Sequence, residues 1–129
     1  MGKLKCICGH IIVDQTDNLS YKGYIIPHSQ VESLSTSLTD NIDSLIDSIK
    51  SNNRLGWIEK TFGTPPYPTD LKDSDMIHDL LIGKLIDIIQ DIFECESCGR
   101  IAIQVKQTNQ FKFFTPDTDD TKGILNCKE

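Results

Sequence analysis

Hydrophobic positions follow two different rhythms along the chain. Through the middle they recur every three to four residues, and toward both ends they alternate or gather in short β-branched runs. Val31, Leu34, Leu38, Ile42, Leu45, Ile46 and Ile49 keep the helical repeat, which predicts an amphipathic helix over about 30–51. Ser29 would be its N-cap, and Glu32, three residues on, would complete a capping box. Ser51-Asn52-Asn53 ends it, and a short helical turn is expected around Trp57. From Gly63 to Pro68 the chain reads as a loop, because closely spaced prolines remove backbone donors and clash with helical geometry. A second helix is predicted over about 72–92, on Met76, Ile77, Leu80, Leu81, Leu85, Ile88, Ile89 and Ile92, with Asp73 or Ser74 as its cap. Its apolar face is the broader of the two, so it is expected to be the more buried helix.

Strand patterns flank this helical stretch. Ile11-Ile12-Val13 is a β-branched run that predicts a strand within 3–14. Tyr24-Ile25-Ile26 predicts a second extended piece, ended by Pro27, after a turn-rich connector at Thr16–Ser20. Ile101, Ile103 and Val105 alternate with Ala102, Gln104 and Lys106, the mark of a half-buried strand, and Phe111–Phe114 returns from a turn at Gln107–Gln110 to close a hairpin. The Asp- and Thr-rich residues 117–129 read as a loose tail. The expectation is a single α+β domain over 1–129. Its N- and C-terminal strands, within about 3–14 and 93–115, would form a small antiparallel sheet, with two amphipathic helices inserted over about 29–92.

Cysteine placement gives this outline its chemistry. Cys6-Ile7-Cys8-Gly9 opens the chain, and Cys95-Glu96-Ser97-Cys98-Gly99 follows the helical stretch. Two cysteines separated by two residues and followed by glycine form a tight turn that aims both sulfurs at one point, since glycine takes up the backbone conformation the turn needs. The pair one residue apart can do the same on an extended segment, where residues i and i+2 face one side. Each pair precedes an apolar strand. Cys6, Cys8, Cys95 and Cys98 therefore read as one four-thiolate Zn2+ site, a zinc ribbon split by the helical insertion. His10 and Cys127 are spare candidate ligands, and thiols without metal or a redox pair are the competing readings. Four thiolates leave no open coordination position, so such a site is structural rather than catalytic.

Composition narrows the partners. The 129 residues carry 13 Lys and Arg against 19 Asp and Glu, a net charge of −6, with 38% hydrophobic and 25% charged residues. That balance is ordinary for a globular chain. No run of basic residues builds the patch a nucleic-acid binder needs, and an acidic surface suits either solubility or a basic partner. No apolar run reaches the length of a membrane span. The N-terminal residues have no signal-peptide apolar core, and Cys6 stands where a myristoylation signal needs Ser or Thr. A reducing cytoplasm is the expected setting, where thiols serve as metal ligands more often than as disulfides.

Asp75, Asp79, Asp87 and Asp91, with Gly83 in the gap, would form an acidic stripe on the second helix, and Asp40, Asp43 and Asp47 a similar face on the first. These read either as solvated faces or as a docking surface for a basic protein. Trp57 and Tyr67 bracket the proline loop and read either as satellite core or as recognition aromatics. Among His10, His28 and His78 no nucleophile–base arrangement is visible, and there is no phosphate-binding loop, so an enzyme is not expected.

The stretch Cys6–Asp14 followed by Thr16-Asp17-Asn18-Leu19-Ser20-Tyr21-Lys22, together with Cys95-Glu96-Ser97-Cys98-Gly99-Arg100 and Phe114-Thr115-Pro116, resembles a group of small bacterial proteins. Those begin CxCG…D-x-TDNLxYK and carry a later CxxCGR and an FTP-like end. The likeness covers both ends of the chain and not its helical middle. Some of these proteins resemble immunity proteins, which protect bacteria from polymorphic toxins. The resemblance implies a metal site at the paired cysteines and transfers no catalytic residue. The function expected is a non-enzymatic, zinc-stabilised immunity protein that neutralises a basic toxin by direct contact. A nucleic-acid-binding or transcription-associated zinc ribbon is the alternative.

Overall fold

The computed structural model describes residues 2–63, 67–118 and 122–126. In chain order the elements are β1 (Gly2–Lys5), β2 (Ile11–Asp14), β3 (Lys22–Ile25), α1 (His28–Lys50), α2 (Arg54–Phe62), α3 (Asp73–Ile88), β4 (Gln90–Glu94), β5 (Ile101–Gln104) and β6 (Phe111–Phe114). The class is α+β. The strands make two antiparallel sheets rather than one: β1-β2, and a four-stranded sheet in the order β3-β4-β5-β6. Two compact units result, one from the two ends of the chain, up to Ile26 and from Ile89 onward, the other from Pro27–Ile88.

Register explains how the strand unit closes. Lys22 pairs with Phe93, Phe93 with Ala102, and Ala102 with Phe113, while Tyr24, Asp91, Gln104 and Phe111 form the next row. Side chains alternate along a strand, so these two rows share one face of the sheet. The β1-β2 hairpin packs there. Leu4 pairs with Ile12, and the core joins Cys6, Ile12, Phe93, Cys95 and Ala102, with Leu4, Tyr21, Phe111 and Phe113 packed against it. β1 escaped the sequence reading because Gly2-Lys3-Leu4-Lys5 offers one apolar residue; its pairing to β2, not its own burial, makes it a strand.

The opposite face carries Glu94, 3% exposed. Its carboxylate accepts the backbone N–H of Gly123 at 2.8 Å and of Ile124 at 2.9 Å. Gly123 has φ +83°, a conformation glycine adopts without strain, and so presents two successive N–H groups to one anion. Residues 122–126, which the sequence leaves in a loose tail, are thereby tied to the sheet.

Residues 14–22 are held with similar care. The Lys22 ammonium donates to both oxygens of Asp14, at 3.0 and 2.9 Å, and the Tyr21 hydroxyl donates to the Val13 carbonyl. Asn18 takes φ +60°, which Asn tolerates better than most residues. Asp14, Asn18, Tyr21 and Lys22 of the signature stretch thus build the β2–β3 connection.

In the helical unit Leu45, Trp57, Ile58 and Met76 form the core, with Phe62, Tyr67, Leu71, Ile77 and Leu80 packed against it. The Arg54 guanidinium donates to Asp73 Oδ1 at 2.9 Å, to the Thr69 carbonyl at 2.9 Å and to the Leu71 carbonyl. That single side chain fastens the approach to α3.

Two expectations change here. α1 starts at His28 with Pro27 as N-cap and no side-chain capping bond; the Ser29–Glu32 capping box does not form. Proline's fixed φ ends the extended segment, and the Pro27 carbonyl accepts Gln30 N–H at 2.8 Å. The second long helix stops at Ile88 instead of about 92. Gln90–Glu94 becomes a central strand, because β3 and β5 satisfy its backbone on both sides, and a short apolar run fits either period. α3 does keep a larger share of its residues from solvent than α1, as its broader apolar face implies, although Met76 is its one fully buried residue among those described and Ile86 is 66% exposed.

Candidate metal centre

Two turns at one end of the strand unit face each other. In the first, between β1 and β2, Cys6 N–H donates to the His10 carbonyl at 2.9 Å, and Gly9 N–H to the Cys6 carbonyl at 2.9 Å. In the second, between β4 and β5, Cys95 N–H donates to the Arg100 carbonyl and Gly99 N–H to the Cys95 carbonyl, both at 2.8 Å. Gly9 and Gly99 have φ +99° and +80°, so each cysteine pair needs its glycine to turn the chain back. The two turns are built alike although one holds an extra residue.

Their sulfurs converge. Cys6 Sγ lies 3.6 Å from Cys98 Sγ, and Cys8 Sγ 3.6 Å from Cys95 Sγ; all four lie within 4.8 Å of one another. A disulfide would need about 2.05 Å, and the four thiols are free. Four thiolates around one tetrahedral ion at about 2.3 Å stand about 3.8 Å apart; the two closest pairs, at 3.6 Å, and the 4.8 Å limit on the rest leave room for such an ion with small adjustments. Cys6 and Cys95 are buried, Cys98 is half-buried and Cys8 is exposed. The closest pairs run between the turns, so an ion held here would tie the hairpin to the sheet.

Electrostatics divide the set. Burial pushes the Cys95 thiol up to about 12 and also raises Cys6. Burial raises Cys98 as well, but the backbone N–H and guanidinium of Arg100, with hydrogen bonds from Cys6 and Cys8, outweigh it and bring Cys98 down to about 6. Arg100 Nη1 stands 3.4 Å from Cys98 Sγ. The sequence reading passed over Arg100 as a supporting group, though its place just after Cys98-Gly99 marks it. Cations and N–H donors near a thiolate fix its orientation and charge. A divalent cation is what would let the buried Cys6 and Cys95 ionise alongside Cys98.

His10 is not part of the cluster; its carbonyl serves the first turn instead. Cys127 lies outside the described residues.

The other candidate residues separate. Asp40, Asp43 and Asp47 are exposed on α1, and Asp75, Asp79 and Asp87 on α3. Asp91 is not on the helix. It stands in β4, paired with Tyr24, so the four-residue stripe does not exist. Trp57 is buried in the helical core, its indole N–H donating to Ser44 Oγ at 2.8 Å, and it offers no contact surface. Tyr67 stacks on Phe62 with centroids 3.9 Å apart and donates to Asp79. Burial and the Asp79 and Asp75 carboxylates push its hydroxyl up to about 12.

Fold and site together define a class: an α+β protein in which two glycine-closed cysteine turns converge on one candidate metal centre. The chain belongs to the family described as domain of unknown function DUF8617, whose model matches residues 2–118. No curated protein and no solved structure matches it. No helix among the described residues is long and apolar enough to cross a membrane.

Proposed function

We propose that this is a non-enzymatic cytoplasmic binding protein stabilised by one structural Zn2+, and that it neutralises a basic toxin domain by direct contact. The convergence of four cysteine sulfurs from two separate turns carries the zinc reading. A set made only of thiolates selects zinc or iron among the common metals, and zinc is the redox-silent choice for a clasp. Filling all four positions leaves none for water or substrate, so the centre supports a scaffold rather than a reaction.

Surface charge supports the binding half. Asp40, Asp43 and Asp47 lie one and two turns apart on α1, exposed, and have no ion-pair partner among the described residues. Like charges at such spacing weaken an isolated helix by a few tenths of a kcal/mol each. A basic partner would relieve that repulsion and associate faster through long-range attraction. The resemblance of the chain ends to proteins of polymorphic toxin systems supplies the partner class, and Asp75, Asp79 and Asp87 would extend the same surface.

Co-expression with the product of the neighbouring gene tests this. A stable complex, protection of growing cells, and loss of both in an Asp40→Lys/Asp43→Lys/Asp47→Lys variant that still folds are expected. Absence of complex and protection with the unaltered chain would overturn the reading. A retarded species with DNA or RNA would favour a nucleic-acid module instead.

A further inference from the structure

The β1-β2 hairpin and the four-stranded sheet are drawn together at the cysteine end and part at the other. Between them opens a cleft of about 400 Å3, within the roughly 300–1,000 Å3 range of small-ligand sites. Its apolar walls are Leu4, Ile12, Phe93 and Phe111, and two carboxylates, Asp14 and Asp91, stand in it. By register Leu4, Ile12 and Phe93 lie one row nearer the cysteines, and Asp14 and Asp91 lie in the outer row. Apolar depth with an acidic mouth is therefore fixed by the strand pairing itself.

The two carboxylates differ in what they have left to offer. Both oxygens of Asp14 are taken by Lys22. Asp91 donates its backbone N–H to Gln104 Oε1 at 2.9 Å, but its half-buried carboxylate has no hydrogen-bond or ion-pair partner among the described residues. The Lys22 ammonium, paired with Asp14, also lies close enough for its charge and that of Asp91 to interact. The Gln104 amide donates to the Thr108 carbonyl at 2.8 Å and is occupied. Lys3 also borders the cleft, but alternation along β1 directs its side chain to the other face of the hairpin.

We propose that this cleft binds an organic cation, a guanidinium or alkylammonium group, with Asp91 as its ionic partner and the Phe93 and Phe111 rings as its walls. The same unit already shows that chemistry in miniature. The Lys22 ammonium is held by a carboxylate and lies 5.4 Å from the Phe93 ring centroid and 5.5 Å from that of Tyr24, inside the distance at which a ring face attracts a cation. An anion would meet the unpaired Asp91 carboxylate. A neutral apolar ligand would desolvate Asp91 without pairing it. A cation with a short aliphatic stem satisfies both the walls and the mouth. It could be a free amine or guanidine, or an Arg or Lys side chain presented by another polypeptide. The cleft does not depend on the acidic face of α1, so either proposal stands without the other.

The experiment is an NMR titration of the metal-loaded full chain with Nα-acetyl-arginine amide, the lysine analogue, the uncharged norleucine analogue and a short peptide carrying one internal arginine. Saturable shifts at Leu4, Asp91, Gln104 and Phe111 with the cations, and none with the norleucine analogue, are expected. Tighter binding of the peptide would identify a side chain as the natural occupant, and tighter binding of the single amino-acid amide a free cation. Asp91→Asn should weaken binding about tenfold or more, as loss of a charge-assisted contact does. Phe111→Leu should weaken it independently, and Asp70→Asn, at an exposed carboxylate outside the cleft, should not. No saturable shift with either cation, equal shifts with the uncharged analogue, or unchanged affinity in a folded Asp91→Asn variant would overturn the assignment.

Discussion

Replacing Cys95 by serine takes one of two fully buried sulfurs out of the cluster, at 0% exposure. Its closest contact is Cys8, 87 positions away in the chain. A constraint across that span removes unfolded-chain entropy equivalent to about 4.5 kcal/mol on the loop-closure estimate. Structural zinc bound by cysteine-rich sites contributes on the order of 10 kcal/mol of apparent binding energy. Whole domains are stable by only about 5–15 kcal/mol. Even the smaller figure is a large part of that margin, so Cys95→Ser should lower the melting temperature by more than about 10 °C. Thermal unfolding followed by circular dichroism, with and without chelator, reads this directly. Chelator should lower the unaltered protein toward the variant and leave the variant unchanged. Ile7→Ser is the control, because Ile7 lies between two of the cysteines yet is 69% exposed. If Cys95→Ser and chelator both move the transition by less than about 2 °C, the clasp contributes nothing and the reasoning fails.

Leu45→Ala, at the centre of the helical core, should cost about 2–5 kcal/mol in denaturant unfolding, whereas Ile86→Ser on the exposed side of α3 should stay within about 0.5 kcal/mol. Glu94→Ala should remove the hydrogen-exchange protection of the Gly123 and Ile124 amides, which the carboxylate holds at 2.8 and 2.9 Å; protection that survives would show the segment is held by something else. Metal affinity should fall as pH falls, since zinc binds thiolates. Burial raises Cys6, and raises Cys95 to about 12, so both are protonated near neutrality in the absence of a cation and must give up their protons. These two protons alone weaken binding at least about a hundredfold per pH unit of acidification. Cys98, brought down to about 6 against burial by Arg100, Cys6 and Cys8, adds to this dependence only once the pH drops through that value. A competitive zinc titration between pH 6 and 8 checks the slope, and a pH-independent affinity would contradict it.

What the sequence revealed and what it hid follow from where the information lies. Cysteine spacing and the trailing Gly9 and Gly99 are local, so both turns were legible, as were the β5–β6 hairpin from its alternation and α1 from its repeat. β4 was hidden because Gln90–Glu94 continues the helical spacing of α3, and only pairing with β3 and β5 decides for a strand. That one misassignment also placed Asp91 on an acidic helix face that does not contain it. β1 and the Glu94 anchor depend on partners as far as 12 and 29 positions away, Gly2 pairing with Asp14 at one end of the hairpin and Glu94 holding Gly123. Such tertiary pairings leave no periodic trace. Trp57 shows the converse: its type suits a contact surface or a core, and the Ser44 hydrogen bond and its burial decide for the core.

Four sulfurs from two turns sharing one ion are what hold the strand unit together, and metal analysis of the purified protein with cobalt substitution tests that most directly. About one zinc per chain is predicted, with Co2+ giving the intense visible absorption of a tetrahedral thiolate site. That absorption should be lost on Cys95→Ser and keep its tetrahedral form in His10→Ala. No bound metal, or a Co2+ spectrum indifferent to the cysteines, would contradict the central claim.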